Sequence, residues 1–348
     1  MPTLRPTFTL TIGSLSSSTD NPVAGPGTLV VDRDMDVPAD ALRLRLREHA
    51  GIGVGDEVKL DLGHDGEEET VFTGAIETVR PAISGVVVRA LGTTHELLNL
   101  RTSTTYVNQS AGSIAGDLIG QAGLSTGTVD DGPTLPRYVV DRALSGYRHL
   151  KDLADRLGYE LYADRDGNIM FHLLGPAANL DALGGALGAA VGGLLGAGGE
   201  SYAFGQQLLS AATGWRGAAW GKVEVGGESP VSGQGDTTEH WLTTNDTDYM
   251  GSAGDAEPAL LVRDPAARTK DLADRFAAGR LAVAARIARE TSISVLGRPQ
   301  VDLGDTVAVS DVPDETVNGS GYVRAICHRF GEDDGFVTDI RISLEPES

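Results

Sequence analysis

The stretch RYVVDRALSGYRHLKDLADRLGYELYADRDGNIMF, from Arg137 to Phe171, contains the clearest succession of structural signals in the chain. Its centre predicts a helix: Ser145 can cap the start, Gly158 can end it, and apolar residues recur at helical spacing between them. The segments on either side alternate apolar and polar residues and predict strands. Asp164 to Gly167 is rich in turn residues, so the last two strands should form a hairpin.

Similar β segments lie on both sides of this unit. Gly55-Asp56 opens an alternating run near the N-terminus, and Gly304-Asp305 opens another near the C-terminus. Each run is followed by further strand-like segments, which indicates an internal repeat of two related β-barrels. An Asp after Gly at the start of a strand is typical of a turn residue that bonds its own backbone, and we interpret both pairs in that way.

The order of apolar strand, Asp, helix ending in RLGYEL, Asp-Gly hairpin and apolar strand, from Tyr138 to Phe171, resembles the inserted domain of phage tail hubs. These hubs form the late-control-D family of contractile tails and injection systems, to which the N-terminal part of VgrG proteins is related. The segments Pro299 to Val307 and Gly335 to Ile340 match the end of the second barrel in this family.

The resemblance implies a fold that is mainly β, with two tube-like barrels and a small inserted α/β domain. We expect a first barrel over 1–105, the inserted domain over 106–175, an apolar Gly/Ala-rich connection over 176–204 and a second barrel over 205–348. The second barrel should include a helix over 264–289, because Asp264-Pro265 is typical of a helix start.

The resemblance also implies a function: a homotrimer that joins a six-fold inner tube to a three-fold spike, surrounded by baseplate wedge proteins. The chain stops at Ser348 without a segment for a fused spike, so a separate spike protein is expected. The N-terminus lacks the pattern of a signal peptide, which predicts assembly in the cytoplasm before the protein joins a phage tail or injection particle.

Composition argues against several other classes of function. The net charge of −21 disfavours specific nucleic-acid binding. A single cysteine, Cys327, excludes an intramolecular disulfide and a Cys-based zinc site. The histidines are scattered singly, and no catalytic, cofactor or metal motif is present, so we predict no enzyme activity and no cofactor. Two alternatives stay open: a cell-wall-degrading enzyme of the tail tip, and a carbohydrate-binding β protein, which an aromatic content of 5% makes a poor match.

Three segments are candidates for interfaces. The run Ala41 to Arg47 alternates Leu and Arg, which predicts a strand with an arginine face that is either plain solvent surface or a contact with an acidic neighbour. Trp215 and Trp220 are candidate core or interface aromatics. The glycine-rich segment 183–199 is either a flexible linker or a loop that packs at a symmetry axis, plugs a channel or touches a membrane. The nine candidate residues are Arg43, Arg45, Arg47, Trp215, Trp220, Leu187, Val191, Leu194 and Leu195.

Overall fold

The structure is a computed structural model. It describes residues 4–48, 51–173, 200–217, 219–227, 250–286, 288–331 and 335–344, together with the backbone of two short strands at 229–230 and 242–243. The fold is mainly β, as predicted, with one small α/β unit.

The N-terminal part is a curled antiparallel sheet, here called the first barrel. Its strand order is β3-β4-β7-β6-β5-β1-β2. Side chains on the inner face are buried and form a core with Phe8, Leu42 and Leu60 among its members. The strands are β1 (Pro6–Ile12), β2 (Leu15–Ser18), β3 (Pro26–Asp34), β4 (Ala41–Leu46), β5 (Glu57–His64), β6 (Glu67–Ala82) and β7 (Gly85–Gly92).

The middle of the chain forms the α/β unit. The predicted cap at Ser145 is confirmed, because its hydroxyl accepts from the amide of Arg148. Ser110 caps another helix in the same way and accepts from the amide of Ser113. Gly158 ends its helix in the left-handed conformation, as predicted. The elements are α1 (His95–Asn99), β8 (Thr104–Ser110), α2 (Ala111–Gln121), β9 (Thr126–Val129), β10 (Thr134–Val140), α3 (Gly146–Leu157), β11 (Tyr159–Ala163) and β12 (Ile169–Leu173).

The C-terminal part contains the second barrel, with strand order β14-β20-β23-β22-β21-β13. Its core includes Tyr202, Val295 and Ile342. Its strands are β13 (Glu200–Ala203), β14 (Leu208–Trp215), β20 (Arg289–Leu296), β21 (Thr306–Ser310), β22 (Gly319–Gly331) and β23 (Gly335–Leu344). Between β14 and β20 lie β15 (Lys222–Gly227), β16 (Ser229–Pro230), β17 (Leu242–Thr243), β18 (Met250–Gly254), β19 (Ala259–Asp264) and α4 (Lys270–Ala285).

Helix α4 differs from the prediction in its start, its end and its surroundings. It begins at Lys270, after an N-cap at Thr269, instead of at Asp264. The Asp264 carboxylate accepts from the amide of Ala266 and bonds Arg156, so it closes a turn that precedes the helix. The helix ends at Ala285, and Arg289 already belongs to β20. Its buried face joins the core of the α/β unit instead of the second barrel.

The two barrels repeat the same local geometry at their Gly-Asp pairs. In the first, the amide of Gly55 donates to Ile76 at 2.8 Å and the amide of Ile76 donates to Asp56 at 2.9 Å. In the second, Gly304 and Val323 make the corresponding bond at 2.9 Å, and Val323 and Asp305 at 2.8 Å. Both Asp carboxylates accept from the backbone amide three residues earlier, at 2.8 Å and 2.7 Å, which confirms the turn interpretation.

One continuous sheet connects the barrels. Strand β3 of the first barrel pairs antiparallel with β22 of the second, from Leu29 opposite Phe330 to Asp34 opposite Ala325. This pairing is called the seam below. It places residues about three hundred positions apart side by side, a contact that no local pattern encodes.

Candidate functional site

The strongest concentration of buried charge lies where the seam meets the α/β unit. Arg33, on β3, has a side chain that is only 2% exposed. It bonds Asp40 at 3.2 Å and Asp302 at 2.5 Å, and it donates to the carbonyl of Ala163 at 2.9 Å. One guanidinium therefore ties together the first barrel, the loop before β21 and the α/β unit.

The hairpin between β11 and β12 reinforces this junction. Arg165 bonds Asp302 at 3.1 Å, while the hydroxyls of Thr73 and Thr93 donate to hairpin carbonyls at 3.2 Å and 2.7 Å. Asp164 accepts from the amides of Asp166 and Asn168, which confirms that this segment is a tight turn. The hairpin tip is thus held by both barrels.

A second buried network joins β11 to the second barrel. The Glu160 side chain is fully buried and lies 2.9 Å from Arg286 and 2.7 Å from Arg324. Burial alone would raise the pKa of Glu160, but the two guanidinium groups outweigh it and hold the pKa below its usual value. Arg324 also bonds Asp36, just after β3, at 2.5 Å. The network acts as a structural clamp, because Glu160 bonds both Arg286 and Arg324, and Arg324 also bonds Asp36.

A buried histidine lies on the seam itself. His328, on β22, is opposite Val31, and its Nδ1 is 2.9 Å from the Thr338 hydroxyl. Burial, with a smaller contribution from Arg33, lowers the pKa of His328 to about 3. The imidazole is therefore neutral at physiological pH, and it serves packing and hydrogen bonding.

Helix α4 is fastened to α3 by a third network. Asp264 is buried and bonds Arg156 at 2.6 Å and Arg280 at 3.1 Å. Burial would raise the pKa of Asp264, but Arg156 lowers it below the usual value. Each of these three networks has at least one fully or almost fully buried charged side chain.

The three arginines predicted to lie at an interface are on β4 or just after it, at the surface. Arg43 and Arg45 are exposed on β4, as the alternation predicted, with Arg43 paired to Asp32 at 2.5 Å and Arg45 bonded to Ser84 at 2.5 Å. Arg47 is exposed just after the strand. The intrachain partner of Arg43 satisfies its charge without a neighbouring subunit.

The two tryptophans have different surroundings. Trp215 is 60% exposed at the end of β14, whereas Trp220 is half-buried against the core of the α/β unit. Trp220 also lines a cavity of about 560 Å³ with Arg216, Arg280 and Arg324 among its walls. The remaining four candidates, Leu187, Val191, Leu194 and Leu195, lie outside the described residues.

Two of the strand edges that are unpaired within the described part of the chain lie beside exposed apolar side chains. Strand β14 pairs with β20 on one side only. Beyond Ile76, the outer half of β6 pairs with β7 only. Ile83, in the turn that follows β6, is fully exposed. Unpaired edges with apolar side chains are typical of surfaces that other chains cover.

Sequence reasoning missed the residues that build the junction and the edge of β6. Arg33 was not identified because an Arg in an alternating strand is indistinguishable from one on a solvent-exposed face. Ile83 was not identified either, although an isoleucine two residues after Pro81 is a signal of an unusual surface.

The described residues contain neither a metal-binding cluster nor a membrane-spanning helix. Among the described residues, no group of three or more His, Cys, Asp and Glu side chains is placed to hold a metal ion. None of the helices that the structure describes has the length and apolar character needed to cross a bilayer.

Comparison with solved structures identifies the fold. A 43 kDa tail protein of prophage MuSo2 from Shewanella oneidensis superposes with a TM-score of 0.69 at 16% identity, over 97% of this chain and 98% of that one. A tail protein from Neisseria meningitidis MC58 also gives 0.69, at 13% identity, over 98% and 96%. The chain has the tail-protein fold.

A third structure extends this fold to secretion machinery. The Escherichia coli c3393 protein, a component of the type VI secretion system, matches with a TM-score of 0.59 at 10% identity, over 97% of this chain and 77% of that one. That protein is described as structurally similar to T4 bacteriophage tail proteins gp27 and gp5. No protein-family model matches the sequence, and no curated protein matches it. The tail-protein fold is therefore recognised from structure at low sequence identity.

Proposed function

We propose that this protein is a structural hub in the baseplate of a contractile tail or injection particle. The observation that carries the proposal is the repeated barrel, with matching Gly-Asp hydrogen bonds, in a chain that shares the tail-protein fold over nearly its full length. Repeated barrels offer similar surfaces twice per chain, which suits an adaptor between rings of different symmetry. The hub is a homotrimer that joins a six-fold inner tube to a separate three-fold spike.

The buried charge networks support a structural function. Arg33, Glu160 and Asp264 each lie in a network of partners within the chain. Arg33 and Glu160 hold different units of the fold together, and Asp264 holds α4 to α3. A particle component that transmits force between tube and spike needs such rigidity more than it needs an active site. We therefore propose a non-enzymatic function in a particle that assembles in the cytoplasm.

The domain division belongs to the same proposal. A first barrel over 1–105, an inserted domain over 106–175, a connection over 176–204 and a second barrel over 205–348 fit three separate hydrophobic cores. The adjustment is the segment from β15 to α4, because Val223, Val225 and Ala253 belong, with the buried face of α4, to the core of the inserted domain.

Native mass spectrometry of the purified protein, alone and with the neighbouring spike gene product, tests the function. We expect a trimer, or a monomer that forms a complex of three hub and three spike chains once spike is added. A monomer that ignores both spike and tube proteins would contradict the proposal and favour the tail-tip enzyme or carbohydrate-binding alternatives. Incubation with cell-wall polymers would then be the next assay.

A further inference from the structure

The chain contains one continuous ribbon of eight antiparallel strands. Its order is β14-β20-β23-β22-β3-β4-β7-β6, and the sheet continues from the first half of β6 into β5. The unpaired edge of β14 lies at one end of the ribbon, and the unpaired outer half of β6 lies at the other. The ribbon consists of two halves of four strands, each built as an outer strand, an inner strand and a hairpin. The seam is the pairing between the hairpin of one half and the outer strand of the other.

The two halves match residue by residue. Strand β22 has a register shift between Val323 and Ala325, and β6 has one between Ile76 and Thr78. Val323 and Ile76 are also the residues that bond the two Gly-Asp pairs. The register shift and the Gly-Asp hydrogen bonds therefore both align Val323 of β22 with Ile76 of β6.

The strand pairings carry this alignment to the outer strands. In one half, Val323 pairs with Ile342, Ile342 with Thr291, and Thr291 with Thr213. In the other half, Ile76 pairs with Ala90, Ala90 with Leu42, and Leu42 with Val31. Thr213 of β14 is therefore the counterpart of Val31 of β3.

The seam now predicts a partner for each free edge. Within the chain, β3 pairs with β22, and Arg33 is opposite Ile326. The counterpart of β3 is the free edge of β14, and the counterpart of β22 is the free edge of β6. We propose that β14 of one copy pairs antiparallel with the outer half of β6 of a second copy, with Trp215 opposite Val79.

Burial in the seam supports this assignment. Leu29 and Val31 of β3 are 1% exposed or less in the core of the first barrel, and Arg33 is 2% exposed at the seam. Trp215, the counterpart of Arg33, is 60% exposed in the single chain. The proposed pairing gives this tryptophan the covered position that its counterpart already has.

The exposed isoleucine at the end of β6 is explained in the same way. Its counterpart is Phe330, which packs on the core of the first barrel opposite Leu29. By the same register, Ile83 of the second copy lies opposite Ala211, which packs against the core of the second barrel. An apolar side chain thus meets an apolar core at both junctions.

Pro81 identifies the stronger end of the new junction. The register places it opposite Thr213, and a proline has no N–H to donate to a ladder. We therefore expect the pairing to be best formed around Val79 and Trp215. Because the two joined surfaces differ, the contact is head-to-tail, and repetition must either close into a ring or continue as a filament. Closure with three copies rests on the proposed function.

Engineered disulfides test both the contact and its register. In a Cys327→Ala background, the matched variant carries Val79→Cys and Trp215→Cys, and the control carries Val79→Cys and Ala211→Cys. Residues opposite each other lie about 5 Å apart between Cα atoms, within disulfide reach. In the control, the second cysteine is four residues further along the strand, which adds about 13 Å and places the two cysteines beyond disulfide reach. We expect intermolecular cross-linking of the matched variant to be at least about tenfold faster than that of the control.

The outcomes separate this inference from the proposed function. Selective cross-linking that ends at three chains on non-reducing gels supports both. Selective cross-linking that ends at two chains, or continues without end, supports the strand pairing and overturns the trimer. A trimer by native mass spectrometry without selective cross-linking overturns the pairing and leaves the hub. A monomer with no cross-link overturns both.

Discussion

At the scale of single residues, this protein places charges where most proteins place apolar groups. Arg33, Glu160 and Asp264 are buried, and each has at least two partners from other parts of the chain. A buried pair is weak evidence for net stability, but the removal of one partner leaves the other charge buried and uncompensated. The networks therefore make the arrangement of the three units specific.

Glu160→Gln tests this view. It leaves Arg286 and Arg324 without their common carboxylate, and we expect the free energy of unfolding to fall by about 3 to 5 kcal/mol. Urea denaturation followed by circular dichroism measures the change. Arg275→Gln, which breaks the exposed pair with Asp271, is the control and should change stability by less than about 1 kcal/mol. Equal effects of the two changes would show that the buried network contributes nothing special.

His328 makes stability depend on pH in a defined direction. Its pKa is about 3 in the folded chain, against 6.5 for the free side chain. Between pH 3 and 6.5, His328 binds a proton in the unfolded chain but not in the folded chain. The contribution of His328 to the free energy of unfolding is therefore complete above pH 6.5 and is lost as the pH decreases. Each unit of pH in that window costs up to about 1.4 kcal/mol.

The measurement is the urea midpoint at pH 7, 6 and 5, compared between the native chain and His328→Gln. We expect the variant to lose much of the pH dependence in this range, whatever its stability at pH 7. His95→Gln serves as the control, because His95 lies at the start of α1 and is not fully buried. A slope unchanged in His328→Gln would contradict the assignment.

At the scale of elements, close approach between α3 and α4 depends on a glycine. A Cβ at Gly279 would overlap the carbonyl oxygen of Arg156, and it would lie only 2.6 Å from the backbone nitrogen of Gly158. The two helices can therefore touch only because this position has no side chain.

Gly279→Ala and Gly116→Ala should shift stability in opposite directions. Both residues are inside helices, but a Cβ at Gly116 has no neighbour within 4 Å among the described residues. Alanine at Gly116 should stabilise the chain by up to about 1 kcal/mol through helix propensity. Alanine at Gly279 should destabilise it by about 1 to 3 kcal/mol through overpacking. Thermal unfolding measures both, and a stabilising Gly279→Ala would show that the helices are less tightly packed than described.

Elements were predictable where the signal is local. The sequence predicted the cap at Ser145, the end of α3 at Gly158 and the alternation of β4, because each depends on residues within a few positions. The start of α4 was wrong for the same reason. Asp-Pro is an equally good signal for a turn, and only the distant Arg156 decides where the Asp264 carboxylate goes.

The pairing of β3 with β22 could not be predicted from local sequence patterns. The repeated Gly-Asp pairs indicated two related barrels, but not that β3 would pair with β22. Strand order across a sheet is set by contacts between distant segments, and strands of this composition could satisfy several orders. Arg33 and Asp302, which lie 2.5 Å apart across the junction, are separated by most of the chain.

At the scale of the whole molecule, the dominant property is charge. Each chain carries a net charge of −21, so the copies in the proposed homotrimer repel one another in solution. The edges proposed to join them are short and largely apolar. Association should therefore depend on screening of the long-range repulsion.

We expect the fraction of trimer at a fixed protein concentration to rise with salt. The Debye length shortens from about 30 Å at 0.01 M to about 10 Å at 0.1 M, which weakens the repulsion between chains but leaves apolar contacts intact. Light scattering coupled to size exclusion measures the effect between these concentrations. The amide of Arg216 donates toward β20, to Ala288, so the amide of Trp215 faces the free edge of β14. Trp215→Pro, which removes this outward-facing N–H, is the control and should stay monomeric throughout. A trimer that dissociates as salt rises would indicate an interface held by ion pairs instead.

The seam has a further consequence for how such a ring would assemble. Because β3 and β22 belong to one polypeptide, every second junction between barrels forms intramolecularly, at an effective concentration on the order of millimolar. Only the remaining junctions depend on how many copies the cell has made. The two kinds of junction are also free to diverge, since a substitution at Trp215 alters one kind and a substitution at Arg33 alters the other. Substitutions in a chain with both barrels can therefore change the strength of every second junction in the ring. A substitution in identical single-barrel subunits would change every junction at once.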